Sequence, residues 1–585
     1  MIILGISASH DAGAAIIKDG KIISAVNEER LNRKKMYWGF PELSIDEVFR
    51  LSKLSPKDID VVAISNLTMT GMEDGATPGE RDKKIYENKK MQSGKQLMYP
   101  LSKFKFIGTK TFTKMALAIG IMKTKKKIEF IKNYLKSKGI DAPMIQIEHH
   151  KAHAASAFLT SGFERCLTYT SDFMGDFLCC TVNVCDENGI HRVLETPFYH
   201  SPGMVYTWIT KYLGFTPGKH EGKITGLAAF GKPTTYDIFS KYISLSKDGM
   251  SYERNIRGFW YHNALEMFKK DLDGFTKEEI ASGLQKRFED VVSIHIQNWL
   301  KEYPMKNVAL AGGIFANVKL NQKVLELPEV ENIFIHPHMS DGGLAAGAAL
   351  AVWMESEIRK GRKIVPQKLE NVYFGEDYSD EEIQKELDNH GLKYKHYENV
   401  EKEIAKLIAI GKVVGRFNGK MEYGPRALGN RSILYQPTKK EVNDWLNKRL
   451  KRTEFMPFAP STIKEDLEKS YKDTKGGEYA AEFMTITFNV TDWFAKKCPA
   501  VTHVDGTARP QIVTKEINPS YYKIIKEYQK ISGIGTIVNT SYNMHEEPIV
   551  CSPDDAIRSF KDGKLDYLAI GNYIAKNSSP IPQSL

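Results

Sequence analysis

Two histidines four residues apart stand in the run Glu148-His149-His150-Lys151-Ala152-His153-Ala154-Ala155-Ser156-Ala157-Phe158. The Ala-rich sequence that follows favours a helix, and the spacing of His149 and His153 projects both imidazoles from one face about one turn apart. Imidazoles so placed can share one metal ion. Asp172 follows a strand-like run after this segment, and Asp341 lies in Met339-Ser340-Asp341-Gly342-Gly343, ahead of a helix expected over 344–351. Two histidines with carboxylates from separate loops suit a divalent ion such as iron, manganese or zinc. Open positions would remain for a substrate oxygen.

Glycine-rich stretches next to helices come three times, at 311–317, 341–343 and 222–231. Read as loops, they let backbone N–H groups approach phosphates, and a helix N-terminus favours anions. The expectation is a bound nucleotide, with Lys223, Gly226, Gly312, Gly313 and Asn317 as candidate contacts. The C-terminal part carries a different chemistry. Arg426 and Arg431 lie in the Gly/Pro run 419–432, Lys451 and Arg452 in the basic run 446–460, and Arg509 in Asp505-Gly506-Thr507-Ala508-Arg509-Pro510. Asn539 and Ser541 add short polar donors in Asn539-Thr540-Ser541-Tyr542-Asn543. Forked guanidinium donors suit phosphate or carboxylate. One or two of these arginines are expected to make structural ion pairs, and the set as a whole reads as a polyanion pocket. Nucleic acid is not expected, because its single strands want aromatics interleaved on an exposed sheet.

The elements that must hold these residues read as two repeats of one phrase. Ile2–Ile6 is a strand, His10-Asp11-Ala12-Gly13 a polar loop, Ala14–Ile17 a strand, Asp19-Gly20 a hairpin turn and Ile22–Val26 a strand. The later version is Leu167–Ser171, a loop over Asp172-Phe173-Met174-Gly175-Asp176, Leu178–Val184, and a turn at 187–189. A duplicated α/β lobe is the expectation, as in folds of the actin, sugar-kinase and Hsp70 kind. Residues 79–140 are Lys-rich and helical in pattern, a solvated insertion. A domain boundary is expected near 360–370, giving domains 1–360 and 361–585, the second with an α+β texture.

The chain has 585 residues, 42% hydrophobic and 26% charged, which excludes wholesale disorder. Its net charge of +10 is too mild to declare a nucleic-acid binder and favours anionic ligands. Six cysteines without a Cys-x-x-Cys pair of pairs argue for a reducing compartment and against a structural zinc module. With no membrane-length apolar run, a soluble cytoplasmic protein is expected.

Together the His10-Asp11, His149–His153, Gly222–Gly231, Asp341–Gly343, Tyr423–Ser432, Thr453–Pro460, Asp505–Pro510 and Asn539–Val550 motifs resemble the NodU/CmcH-type O-carbamoyltransferase family, in order and across both halves. The resemblance implies an actin-like ATPase (ASKHA) duplicated-lobe N-terminal domain followed by an α+β YrdC-like domain. It implies two reactions: carbamoyl phosphate and ATP give carbamoyl adenylate in the C-terminal domain, and the carbamoyl group then moves to a small-molecule hydroxyl in the N-terminal domain. By the same resemblance, His149, His153, Asp172 and Asp341 are metal ligands, with Fe2+ the expected ion. His10, with Asp11 beside it, assists removal of the acceptor proton, a role suited to a neutral imidazole near its unperturbed pKa. Arg426, Lys451, Arg509 and Ser541 correspond to carbamoyl phosphate and ATP contacts. The partners implied are the acceptor, ATP and carbamoyl phosphate, with no nucleic acid, no membrane and a homodimer left open.

Two departures stand out. The family's Asp-Gly-x-Gly-Glu loop reads Asp172-Phe173-Met174-Gly175-Asp176 here, and His545-Glu546 intervene before Glu547-Pro548-Ile549. Other readings weighed are a small-molecule kinase of the same superfamily, which leaves the Arg-rich half idle, and a nucleotide-binding scaffold, which has no need of His10, His149 and His153 together. A tRNA threonylcarbamoylation enzyme would not need the C-terminal domain fused in this order, and a HypF-type enzyme would carry cysteine-rich zinc fingers.

Overall fold

The apolar runs at the N-terminus form Ile2–Ser7 (β1), Gly13–Lys18 (β2) and Lys21–Asn27 (β3). Asp19 and Gly20 both have positive φ, 49° and 81°, as the tight turn between right-twisted strands requires. The computed structural model describes residues 1–72, 74–87, 103–259, 263–450 and 457–578. Val61–Ser65 (β4) and Met144–Ile147 (β5) complete a sheet in the order β3-β2-β1-β4-β5. β1 pairs antiparallel with β2 and parallel with β4. β1 past its first residue and all of β4 are buried, so both read as apolar runs rather than alternating patterns.

A second sheet repeats this plan. Cys166–Gly175 (β6), Leu178–Asp186 (β7), Gly189–Pro197 (β8), Asn307–Ala311 (β9) and Asn332–Ile335 (β10) are ordered β8-β7-β6-β9-β10. Again the first strand is antiparallel to the second and parallel to the fourth. The helices His149–Ser161 and Leu344–Arg359 pack against each other in this unit.

Two expectations change here. The 222–231 stretch is no loop: Glu221–Ala228 is a helix, and its glycines lie within or beside that helix. The Asp172–Gly175 stretch continues β6, with an irregular register between Ser171 and Gly175, where a free loop was expected. The Lys-rich stretch contains the helices Pro78–Glu87 and Lys110–Ser137, and residues 88–102 of it lie outside the described residues.

The chain divides into one unit of residues 1–29 and 36–369 and another of residues 30–35 and 370–585. The Leu344–Arg359 helix ends at the expected boundary, but 361–369 stay with the first unit. Ile364 N donates to Glu187 O, and Gln367 N to Leu159 O. The segment 30–35 belongs to the second unit, where Arg33 donates to the carbonyls of Ile549 and Pro548 at 2.8 and 2.9 Å and lies 3.2 Å from Asp555.

The second unit is also mixed α/β. Its strands are Tyr394–His396 (β11), Val414–Phe417 (β12), Arg431–Tyr435 (β13), Ala459–Ile463 (β14), Phe488–Asn489 (β15), Thr507–Ala508 (β16), Gln511–Val513 (β17), Thr536–Ser541 (β18), Tyr567–Ile570 (β19) and Tyr573–Lys576 (β20). Among the described residues, β11-β20-β19-β12-β13-β18-β14-β17 form one sheet, and β15 and β16 pair separately. The six cysteines are buried free thiols. No described helix is long and apolar enough to cross a membrane.

Candidate active site

The His149–Ser161 helix starts on a double cap. Glu148 accepts from the N–H groups of His150 and Lys151, and Asp176 accepts from His149 N at 3.0 Å. Asp176 also takes Leu67 N, Thr68 N and the Thr68 hydroxyl. The carboxylate that departs from the family pattern thus anchors the histidine helix to the 66–68 turn. Gly175 makes room for the histidine: a Cβ there would lie 2.0 Å from the His149 ring.

His149 and His153 are 3% and 1% exposed and face Asp172 and Asp341. His153 Nε2 lies 3.3 Å from Asp172 Oδ2 and 3.6 Å from Asp341 Oδ1, and His149 Nε2 lies 3.6 and 3.7 Å from the same atoms. One donor atom from each of the four residues lies within 4.8 Å of the other three. Both Nε2 atoms are buried without a hydrogen-bond partner, whereas His149 Nδ1 is paired with Asn66 Oδ1 at 2.7 Å. That pairing makes Nδ1 the N–H and leaves the Nε2 lone pair for a cation. Ligand bonds of about 2.0–2.2 Å place neighbouring donors roughly 3–3.5 Å apart, so the four residues fit a divalent metal.

Burial alone drives an imidazole towards neutrality, as at His150, pushed down to about 3, and His336, also about 3. His149 goes the other way. Burial opposes its charged form, but Asp341, Asp172 and Asp176 prevail and raise it to about 9. Asp172 is held well below the usual carboxylate range, burial notwithstanding, by His149 and His153. The pocket therefore attracts positive charge, whether proton or metal.

His10 joins this group, with Nδ1 3.8 Å from both Asp341 Oδ2 and Asp11 Oδ2. Against burial, Asp11, Asp341 and Asp172 raise His10 to about 9, so the expected near-unperturbed imidazole is corrected. Asp11 itself rises to about 6, through burial and despite His10. Two residues that sequence reasoning missed assemble these loops. Asn66 donates to Ser9 Oγ at 2.8 Å, beside His10. Asn27 donates to Asp11 O and Gly342 O, and its Oδ1 pairs with His338 Nε2 at 2.9 Å. The sequence signal was an Asn at the end of a strand in each case, too common to single out.

The nucleotide candidates of the first unit form no part of this cluster's donor set. Lys223 is buried in its helix, 5.9 Å from the Phe215 ring, and Gly226 lies one turn further on. Gly312 and Gly313 follow β9, and Gly313 N donates to Asp172 Oδ2 at 3.1 Å. Asn317 caps the Val318–Leu325 helix and donates to Gln285 Oε1 at 2.9 Å. The expected phosphate-facing roles of Gly313 N–H and the Asn317 amide are corrected accordingly: both groups hold neighbouring protein atoms.

In the second unit the 422–431 loop is folded on its own charges. Glu422, buried, accepts from Leu428, Asn430 and Arg431 N–H groups. Arg431, fully buried, donates to the carbonyls of Asn418, Gly419, Asn430 and Glu376 and stacks 3.7 Å over Phe417. Arg431 is therefore a structural residue, contrary to its reading as a ligand contact. Arg426 sits half-buried on the outer turn of the same loop. Asn539, also read as a ligand contact, donates to Ala427 O, Ser461 Oγ and Gln511 Oε1, which pins that turn to β18 and β17. Arg509 precedes β17 and Ser541 ends β18, both half-buried, so the structure brings their strands to the Arg426 turn. Lys451 and Arg452 lie outside the described residues.

The chain matches the domain description "Carbamoyltransferase N-terminus" over residues 2–350 and "Carbamoyltransferase C-terminus" over 405–577. It belongs to the carbamoyltransferase family, a family of enzymes. A protein of Synechocystis sp., sll1178, is 32% identical over 99% of this chain and 97% of its own length. The nodulation protein NolNO of Sinorhizobium fredii is 32% identical over 98% and 80%. The 3'-hydroxymethylcephem-O-carbamoyltransferase of Streptomyces clavuligerus is 26% identical over 65% and 71%. Full-length HypF, solved with phosphate and nucleotide, aligns at 16% identity and a TM-score of 0.32 over 61% of this chain and 46% of that one, too slight a likeness to argue from. Membership of a carbamoyltransferase family removes the scaffold and kinase readings.

Proposed function

We propose that the chain is an ATP-dependent O-carbamoyltransferase acting on the hydroxyl of a small molecule, a sugar or secondary metabolite. The observation that carries this reading is the convergence of His149, His153, Asp172 and Asp341 with His10 3.8 Å from Asp341. In the second unit, which we read as YrdC-like, water cleaves carbamoyl phosphate to carbamate and inorganic phosphate, and a carbamate oxygen attacks the α-phosphorus of ATP. The product is carbamoyl adenylate with release of pyrophosphate, and Arg426, Arg509 and Ser541 would hold the phosphates.

In the first unit, read as actin-like, His149, His153, Asp172 and Asp341 would hold Fe2+. Bound there, the ion supplies Lewis acidity towards a carbonyl or phosphoryl oxygen. A cation held there would weaken the hold of Asp341 and Asp172 on the His10 proton, while Asp11, the carboxylate that raises His10 most, stays beside the ring. His10 accepts the acceptor O–H proton while that oxygen forms a bond to the carbamoyl carbon. The bond from that carbon to the AMP phosphate oxygen breaks, and AMP departs with the electron pair. The test incubates full-length protein with ATP, carbamoyl phosphate and a library of hydroxylated compounds, seeking by mass the gain of one carbamoyl group. His10→Asn should abolish that gain and leave pyrophosphate release intact. Transfer that persists unchanged in His10→Asn would refute the base assignment.

A further inference from the structure

The carboxylates of Asp11 and Asp341 each lie 3.8 Å from His10 Nδ1, beyond hydrogen-bond range, so they do not fix the plane of its ring. Packing does. The His10 ring lies against the Trp38 indole with centroids 4.8 Å apart and planes inclined by 48°. The Arg81 guanidinium stacks 3.7 Å over the same indole, and its Nε donates to Asp74 Oδ2 at 2.6 Å. The indole is thus held between an imidazole and a guanidinium that is itself tied down.

The backbone around Trp38 is stitched on two sides. Towards the His10 loop, Ala12 N donates to Tyr37 O at 3.0 Å and Gly39 N to Ser9 O at 3.2 Å. Towards the 74–76 segment, Trp38 N donates to Ala76 O at 2.8 Å and Ala76 N to Trp38 O at 3.1 Å. Gly71 completes the seat: it has φ +84°, and a Cβ there would lie 2.4 Å from the indole Cε3. Three separate segments therefore converge to fix one indole, and that indole meets the ring that the transfer reaction needs.

We propose that Trp38, backed by Arg81 and Asp74, is a positioning residue for His10, setting the orientation in which the imidazole meets the acceptor hydroxyl. This inference rests on the reading of His10 as the base. Misplacement of a reacting group by about 1 Å costs on the order of 100-fold in rate, so a buttress of this kind acts on turnover rather than on acceptor binding.

Two readouts on full-length protein test it. In histidine-selectively 13C-labelled protein, His10→Asn identifies the His10 Cε1–H resonance, which the indole ring current displaces in the wild type. Trp38→Leu should return that resonance towards the ordinary imidazole position, while Trp38→Phe keeps most of the displacement. An unmoved resonance in Trp38→Leu overturns the proposal. On an acceptor that the wild type carbamoylates, Trp38→Leu should lower kcat about 10- to 100-fold with KM within about two-fold, and Trp38→Phe should restore kcat to within about three-fold. Arg81→Leu should lower kcat less. An unchanged kcat, or an effect confined to KM, overturns it. Pyrophosphate release from ATP and carbamoyl phosphate separates the failures. If the wild type releases none, the proposed function fails and the resonance still tests the packing. If it releases pyrophosphate and Trp38→Leu transfers normally, only the positioning inference fails.

Discussion

The histidine cluster of the first unit and the arginine loop of the second both concentrate charge, and they use it oppositely. His149 and His153 present buried Nε2 atoms that the protein does not satisfy, facing two buried carboxylates. Arg431 and Glu422 are buried too, but they spend most of their bonds on backbone, Arg431 on four carbonyls and Glu422 on three N–H groups, with Arg431 Nε and Glu422 Oε2 left over. Burial of charge is therefore no guide to ligand binding by itself. The guide is whether unsatisfied lone pairs from several residues converge on carboxylates, as the Nε2 atoms of His149 and His153 do with Asp172 and Asp341.

The widest separation between the two regions should come from removing one of the candidate metal-ligand nitrogens. His153→Ala should lower bound metal to background by elemental analysis and reduce carbamoyl transfer by more than about 100-fold, with pyrophosphate release retained. Loss of pyrophosphate release in a folded His153→Ala protein would break the assignment of the two reactions to two units.

Within the second unit, Arg426 and Arg431 should part company. Arg426→Ala should cut pyrophosphate release about 100-fold and leave the melting temperature near the wild-type value. Arg431→Ala should destabilise the unit by about 3 kcal/mol or more in chemical unfolding, because a buried cation and four carbonyls lose each other. Equal stability of the two variants would show that the buried guanidinium is not structural.

A smaller effect sharpens the cluster. Asn66→Ala removes the acceptor at His149 Nδ1 and should weaken metal affinity about 10-fold by competitive chelator titration. The smallest concerns a half-buried imidazole without carboxylates. His200 accepts from Arg254 N and pairs with Gly108 O through its other nitrogen. Burial and then Arg254 lower it from 6.5 to about 4. Its folded pKa lies below the unfolded value, so its contribution to stability is fully present above pH 6.5 and is lost as pH falls towards 4. Thermal melts over that window should show a drop of a few degrees in the wild type that His200→Gln lessens.

Much of the first unit was legible. The hairpin at Asp19-Gly20 announced a motif that recurs in both sheets, and the four metal-type donors were readable because a helix fixes the His149–His153 spacing. Asn27, Asn66 and Asp176 were not legible: their roles arise from contacts between separate segments, 83 residues apart for Asn66 and His149, or from a strand irregularity that periodicity does not reveal. Glycines misled at 222–231, where they lie within and beside a buried helix rather than in a phosphate loop. In the second unit, the sequence marked Arg426 and Arg431 alike, because composition does not say which guanidinium turns inward. The pairing of segment 30–35 with residues 548–555 was likewise out of reach, since nothing local distinguishes Arg33 from an exposed arginine.

Carbamoyl adenylation is tested most directly by 31P NMR of full-length protein with ATP and carbamoyl phosphate. Pyrophosphate and inorganic phosphate should appear without ADP. Formation of ADP, or no consumption of ATP when carbamoyl phosphate is added, would contradict it.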